Sequence, residues 1–163
     1  MDIQAETEEQ FIKMVHDHER IINKVCSLYV SDRLPVEDLR QETVYNLWKA
    51  YPKFRGDSTV STWVYRIALN TCISGLRKNK GKPQSTHFNG SESLPADTED
   101  TEENIRELYR LIYRLKSLER AIIMLWLEEK SYQEIADITG LSVSNVAVRL
   151  NRIREKLKTM YNS

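Results

Sequence analysis

The chain has little of what marks a disulfide-built, membrane-inserted or catalytic protein. Its 163 residues include only two cysteines, Cys26 and Cys72. They are far apart in the sequence, with no CxxC or Cys/His ligand spacing, so neither a disulfide framework nor a zinc site is indicated and they read as small buried hydrophobes. Of the three histidines, His16 and His18 are two apart on a helical stretch and do not face one site, and His87 falls in a polar segment. No Ser/His/Asp set, metal cluster or phosphate-cradling glycine loop is present, so the sequence predicts no enzyme chemistry and no cofactor. No apolar run approaches the ~18 residues of a membrane span, and the acidic opening MDIQAETEEQ is unlike a secretory signal. The expectation is a cytoplasmic protein without membrane insertion. Neither sign of charge is in excess, with 24 cations against 24 anions, which excludes a uniformly basic nucleic-acid binder.

What is present is a core-forming chain with segregated charge. Hydrophobic residues make up 40% of it, too many for global disorder. Residues 51–90 carry seven cations and one anion, residues 91–107 one cation and seven anions, and residues 143–163 five cations and one anion. Two basic blocks separated by an acidic strip suit two surfaces that meet phosphate while other parts face a basic partner; solvated helix faces would give the same pattern.

Strand patterning is absent, and the apolar spacing predicts an all-α chain of two small helical domains joined by a flexible linker. Three helical stretches fill the first eighty residues. The first, over 8–30, repeats Phe11, Ile12, Val15, Ile22, Val25 and Tyr29 with a gap at His18. The second starts at Pro35, carries Leu39, Val44, Leu47, Trp48 and Tyr51, and stops at Pro52. The third follows the turn FRGDS with Ser58 as its N-cap, buries Val60, Trp63, Val64, Ile67, Ala68 and Cys72, and shows Tyr65, Arg66, Asn70 and Arg77 on its other face. Composition then turns to Lys, Gly, Pro, Ser, Asn and acids. The resulting division is a domain over 1–80, a linker over 81–103 and a second domain over 104–163, the last with helices over 105–115 and 118–128 and then two short helices joined by a tight turn.

That tight turn belongs to a helix-turn-helix. Ser131 and Glu134 form a capping box, and Gly140 supplies a left-handed stop. Ser142 caps the next helix, whose buried stripe is Val146, Leu150, Ile153 and Leu157. Ser144, Asn145, Ala147, Val148, Arg149, Asn151 and Arg152 then lie on its outer and flanking faces, where a major groove would meet them. Arg149, Arg152, Arg154, Lys156 and Lys158 suit phosphates, or base edges in the case of Arg149, although Arg154 and the two lysines equally describe a solvated helix end. Earlier in the chain, Asp38, Gln41 and Glu42 share one helical side, either wet or paired with arginines of a partner. The stretch after it interleaves cations with Tyr51, Phe54, Trp63 and Tyr65, a composition that suits an unstacked base or single strand. Trp63 reads better as core than as a stacking platform, and Phe54 and Tyr65 remain open.

Three ordered segments, EDLRQETVYNLW, FRGDSTVSTWVYRIALN and SYQEIADITGLSVSNVAVRLNRIREKL, resemble the extracytoplasmic-function (ECF) sigma factors of bacterial RNA polymerase across nearly the whole chain. The resemblance implies an N-terminal domain that binds core polymerase, through its β and β′ subunits, and opens the minus-ten element. It also implies a C-terminal domain that reads the minus-thirty-five element as duplex, and an anti-sigma protein as a further partner. On this footing Asp38, Gln41 and Glu42 match the contact with core polymerase. The loop 54–61, with Phe54, Arg55, Gly56, Asp57 and Ser58, matches the element that captures a flipped base of the non-template single strand; Arg66 and Asn70 lie with it. Residues 144–152 match the reading helix. The acidic stretch 92–107 is placed to occupy a basic polymerase channel as a nucleic-acid mimic.

The sequence departs from the family in two ways. Ala147 and Val148 stand where a basic or hydroxylic pair is common, which favours apolar contact with a thymine methyl. No cation occurs over 121–129 to hold the DNA backbone, although Lys130 follows. The competing reading is a helix-turn-helix repressor or activator acting without polymerase, which would ordinarily dimerise; no long heptad seam is present for that.

Overall fold

The computed structural model describes residues 3–78 and 99–163, with side chains over 3–76 and 102–163. The described residues form eight α-helices and no β-strand: α1 (Ile3–Asp17), α2 (Glu19–Leu28), α3 (Val36–Ala50), α4 (Val60–Lys78), α5 (Glu99–Tyr113), α6 (Ser117–Leu127), α7 (Tyr132–Thr139) and α8 (Val143–Asn162). They divide into two compact units, one built from α1 to α4 and the other from α5 to α8, with the short segment Val30–Arg33 grouping with the second. Among the described residues no helix is long and apolar enough to cross a membrane. Most of the expected linker, together with His87 and the first part of the acidic stretch, lies outside the described residues, as do the side chains of Arg77 and Lys78.

The first helical stretch is two helices rather than one. At His18 the backbone leaves helical geometry (φ −115°, ψ 16°), and the ring Nδ1 donates at 2.8 Å to the Met14 carbonyl, which also accepts from the His18 amide at 3.1 Å. Its apolar stripe is also narrower than its composition, because Ile12 is 65% exposed while Phe11 packs edge-on against Trp48 at 4.9 Å and Tyr51 at 5.3 Å.

Around that edge, α2 packs on α3 and α4, and α3 on α4. The core comprises Ile22, Val25, Cys26 and Tyr29, then Leu39, Thr43 and Leu47, then Val64, Tyr65, Ala68, Leu69 and Cys72. Thr43 is fully buried where the pattern pointed to Val44, and its hydroxyl lies 3.7 Å from Cys26 Sγ. The two cysteines, distant in sequence, meet here as free thiols. The hydrogen bond that Cys72 donates to Cys26 and then burial push the Cys72 thiol far up, so it stays protonated.

Two helix starts differ from expectation. Pro35, extended at ψ 154°, is the cap of α3 rather than its first residue. Ser58 does not cap α4; its hydroxyl donates to the Thr59 carbonyl, and Thr59 Oγ1 accepts from the Thr62 amide at 3.2 Å. Thr59 is therefore the cap.

In the second unit α6, α7 and α8 pack on one another and α5 packs on α6 and α8. α5 begins at Glu99, six residues before Ile105, so acids assigned to the linker sit at the start of a helix. Asp and Glu stabilise the positive end of the dipole, and Glu102 pairs with Arg106 at 3.8 Å. Arg120 is buried but satisfied: its Nε donates to the Leu115 carbonyl at 2.9 Å and its guanidinium lies 4.7 Å over the Tyr113 ring. The last helix is long, at 20 residues, rather than short.

Candidate nucleic-acid interface

In the first unit, α3 and α4 diverge to leave a groove of about 630 Å³. Asp38, Glu42, Asn46 and Lys49 line it from α3, in the i, i+4, i+8, i+11 spacing that keeps side chains on one helical side. Asn70, Thr71 and Ser74 line it from α4. The floor is fixed by a bridge between the helices: Asn46 Nδ2 donates to Thr71 Oγ1 at 2.9 Å, and that hydroxyl donates to the Ile67 carbonyl at 2.7 Å. The sequence reading assigned Asp38 and Glu42 to one site and Asn70 to another; the packing of α3 on α4 sets them along the same groove. Gln41 is exposed but is not part of the lining. The groove is acidic at the Asp38 and Glu42 end. Lys49, at the other, lies with its ammonium 4.6 Å over the exposed Tyr45 ring. Asn46, Lys49 and Ser74 were not picked out from sequence, although the α3 pair follows in register from Asp38 and Glu42.

The loop leading into α4 is held at both ends and open in the middle. Tyr51–Lys53 forms one 3-10 turn, and the Phe54 amide closes it on the Tyr51 carbonyl at 3.2 Å. The Phe54 ring packs 5.0 Å from Trp63, which in turn lies 6.4 Å from Tyr51. Trp63 thus belongs to an aromatic row running back to Phe11, and Phe54 is half-buried at its end. Arg55, Gly56 and Asp57 are exposed, and Gly56 turns the chain at φ +78°. Arg66 is half-buried and Asn70 exposed, one turn apart on α4. Tyr65 is corrected: at 3% exposure it is core, because α4 turns that side toward its neighbours, and it presents no face for stacking.

In the second unit the turn between α7 and α8 has the expected chemistry. The Glu134 amide donates to Ser131 Oγ at 3.1 Å and the Ser131 amide to Glu134 Oε1 at 3.2 Å. Gly140 ends α7 in the left-handed region at φ +81°, its amide donating to the Ala136 carbonyl at 2.8 Å. Ser142 caps α8 by accepting from the Asn145 amide. Val146, Leu150, Ile153 and Leu157 are buried. Ser144, Asn151 and Arg152 are exposed, as is Val148 at 47%, while Asn145, Ala147 and Arg149 are half-buried on the flank. Further along α8, Arg154 lies 5.0 Å over the Trp126 ring and Lys156 pairs with Glu119 at 3.1 Å. Lys130, the cation that follows the uncharged stretch of α6, lies 3.9 Å from Glu134.

Comparison with known proteins follows the same division. The Sigma-70 region 2 family model matches residues 14–82, and the Sigma-70 region 4 model residues 105–157. The chain is 33% identical over 153 residues to the ECF RNA polymerase sigma factor SigG of Mycobacterium tuberculosis, covering 76% of this chain and 41% of SigG, so it spans about two fifths of that relative's length. It is 34% identical over 130 residues to the RNA polymerase sigma factor YlaC of Bacillus subtilis, covering 75% of each. With the ECF RNA polymerase sigma-E factor of Escherichia coli it shares 34% over 155 residues, covering 85% of this chain and 81% of the relative. Among solved structures, the sigma factor RpoE in complex with the anti-sigma factor NepR, from Bartonella quintana, superposes with a TM-score of 0.73 at 19% identity, covering 94% of this chain and 98% of that one. CnrH in complex with the cytosolic domain of CnrY gives 0.66 at 21% identity, covering 95% and 89%. With both sigma regions in order and relatives matched over most of their own length, the chain belongs to the ECF sigma factors of RNA polymerase.

Proposed function

We propose that this chain directs core RNA polymerase to promoters and assists their opening, and that it works by differential binding without an active site of its own. The α3–α4 groove carries this reading: an exposed Asn70 lines it from α4 as Asp38 and Glu42 do from α3, and α4 is entered by an exposed loop that Gly56 turns and Phe54 anchors against Trp63. Such a site takes an unpaired base better than a stacked one, because an amide reaches the Watson–Crick edge of a base only after the base leaves the duplex. Binding that favours the open strand shifts the melting equilibrium, and the polymerase supplies the chemistry.

On this reading Phe54, Arg55, Gly56, Asp57, Ser58, Arg66 and Asn70 meet the non-template strand of the minus-ten element. Asp38, Gln41 and Glu42 meet cationic groups of the β′ subunit, since carboxylates at the groove's acidic end repel phosphate and attract arginine. Ser144, Asn145, Ala147, Val148, Arg149, Asn151 and Arg152 meet the minus-thirty-five duplex, with Val148 offering a methyl-to-methyl contact to thymine. The first two sets lie in one domain, over 1–80, and the third in another, over 104–163, and both act in the cytoplasm with the polymerase. Two structural neighbours were solved with an anti-sigma factor or a cytosolic partner domain, and an anti-sigma protein that covers these faces is part of the proposal.

The test is reconstitution with core polymerase on a promoter library. Asn70→Ala is expected to slow opening while recruitment is retained. Failure of the wild-type chain to restore initiation overturns the function; intact opening with Asn70→Ala overturns the site.

A further inference from the structure

On the helix proposed to read duplex DNA, two residues are already bonded to each other. Arg149 Nε donates to Asn145 Oδ1 at 3.1 Å, one turn back along α8. We infer that Asn145 is a positioning residue for Arg149, and that Arg149, so held, reads a single guanine in the upstream duplex element. This rests on the proposed function and goes beyond it by giving the two residues different roles.

The chemistry of the guanidinium carries the argument. Its five N–H groups are set in a rigid fork, and Nε–H points to one side while Nη1 and Nη2 form the terminal edge. The bond to Asn145 uses Nε alone, and the Arg149 side chain has no other hydrogen bond among the described residues. The terminal edge is therefore left for the O6 and N7 acceptors of guanine, the base whose major-groove edge fits two parallel donors. An arginine held through Nε has also given up much of the rotamer freedom that it would otherwise lose on docking.

The surroundings restrict the choice further. Arg149 is the only cation among residues 143–151, the half of the helix that enters a major groove first. Its neighbours Ala147 and Val148 carry no polar group that could compete for guanine. Asn145 is itself a common reader of adenine, but that requires its amide oxygen and nitrogen together on N6 and N7. With one lone pair of Oδ1 taken by Nε–H, adenine readout by Asn145 would have to share that oxygen between two donors.

The experiment uses holoenzyme reconstituted with core polymerase on a library randomised through the upstream duplex element. The readout is the preference at each base pair, a ratio that does not change with the fraction of active protein. Wild type is expected to favour guanine at one position by about tenfold or more. Arg149→Ala abolishes that preference alone. Asn145→Ala weakens it at the same position, and the double variant is no worse than Arg149→Ala. Asn145→Asp, which keeps an acceptor for Nε, retains the guanine. The inference is overturned if Asn145→Ala changes a different base pair, if the two effects multiply, or if both variants weaken all sequences equally, as a phosphate contact would. A wild-type holoenzyme with a clear upstream preference that ignores Arg149 sinks the inference and spares the function; one with no upstream preference sinks the duplex-reading role together with it.

Discussion

Lys156 Nζ donates to Glu119 Oε1 at 3.1 Å, joining the middle of α8 to the first turn of α6 across 37 residues. The same carboxylate oxygen accepts from the Lys116 amide, so one acid both caps α6 and anchors the helix proposed to read DNA. Arg154 is similarly engaged over Trp126. Two cations that the sequence offered to phosphate thus hold the second unit together, leaving Arg152 as an exposed cation outside such contacts.

This separates stability from DNA affinity. Lys156→Ala should cost about 0.5–1 kcal/mol in urea denaturation, and Glu119→Ala about 1–2 kcal/mol because it removes a cap as well. In salt titrations of holoenzyme on upstream duplex, Arg152→Ala should flatten the log K against log salt slope by about 1 and leave stability alone, whereas Lys156→Ala should leave the slope alone. Equal slopes for both variants would refute the division.

The start of α4 gives a second contrast. Thr59 accepts from the Thr62 amide while Ser58 only donates to a neighbouring carbonyl. Thr59→Ala should therefore destabilise the first unit by about 1 kcal/mol and Ser58→Ala by only a few tenths. Chemical denaturation of the full chain followed by tryptophan fluorescence reads both, since Trp63 lies one turn inside the helix.

These cases show what sequence could and could not disclose. The capping box at Ser131 and Glu134, the stop at Gly140 and the stripe Val146, Leu150, Ile153 and Leu157 were legible because each is set by neighbours within one or two turns. Ser58 and Thr59 are equally good caps by type, and only the register of α4 against its neighbours chooses between them. Tyr65 looked surface-facing until α4 was placed among its neighbours. The meeting of Cys26 with Cys72, the sharing of one groove by Asp38 and Asn70, and the loss of Lys156 and Arg154 to internal partners depend on which helices pack together. Nothing in local periodicity encodes that choice.

Burial raises the Tyr109 phenol above its ordinary value of 10.0, and burial raises Tyr113 as well, with the Arg120 charge opposing it. A raised phenol keeps its proton longer in the folded chain than in the unfolded one. Its contribution is thus fully present below pH 10 and is lost as the pH climbs through the folded value, because the unfolded chain gives up the proton first. Thermal denaturation between pH 8 and 11 should show the second unit weakening above pH 10, with a shallower fall for Tyr109→Phe. Parallel curves for wild type and variant would contradict this.

Gly56 and Gly140 allow the backbone cost of a turn to be measured without packing effects. Both sit at positive φ, +78° and +81°, and a methyl group added at either would meet nothing within 4 Å. Any loss on substitution must then come from the left-handed conformation itself, about 1–2 kcal/mol for alanine and less for asparagine, whose short polar side chain tolerates that region. At Gly140 the penalty should appear in denaturation of the second unit, because the turn joins α7 to α8 and the two helices share one core. At Gly56, in an exposed loop, the chain can relax locally, and the loss should appear as slower promoter opening with little change in global stability. The ordering Gly, Asn, Ala should hold at both positions. An alanine variant at Gly140 as stable as wild type would mean that the turn re-forms without its left-handed residue, and that the angle between α7 and α8 is not fixed there.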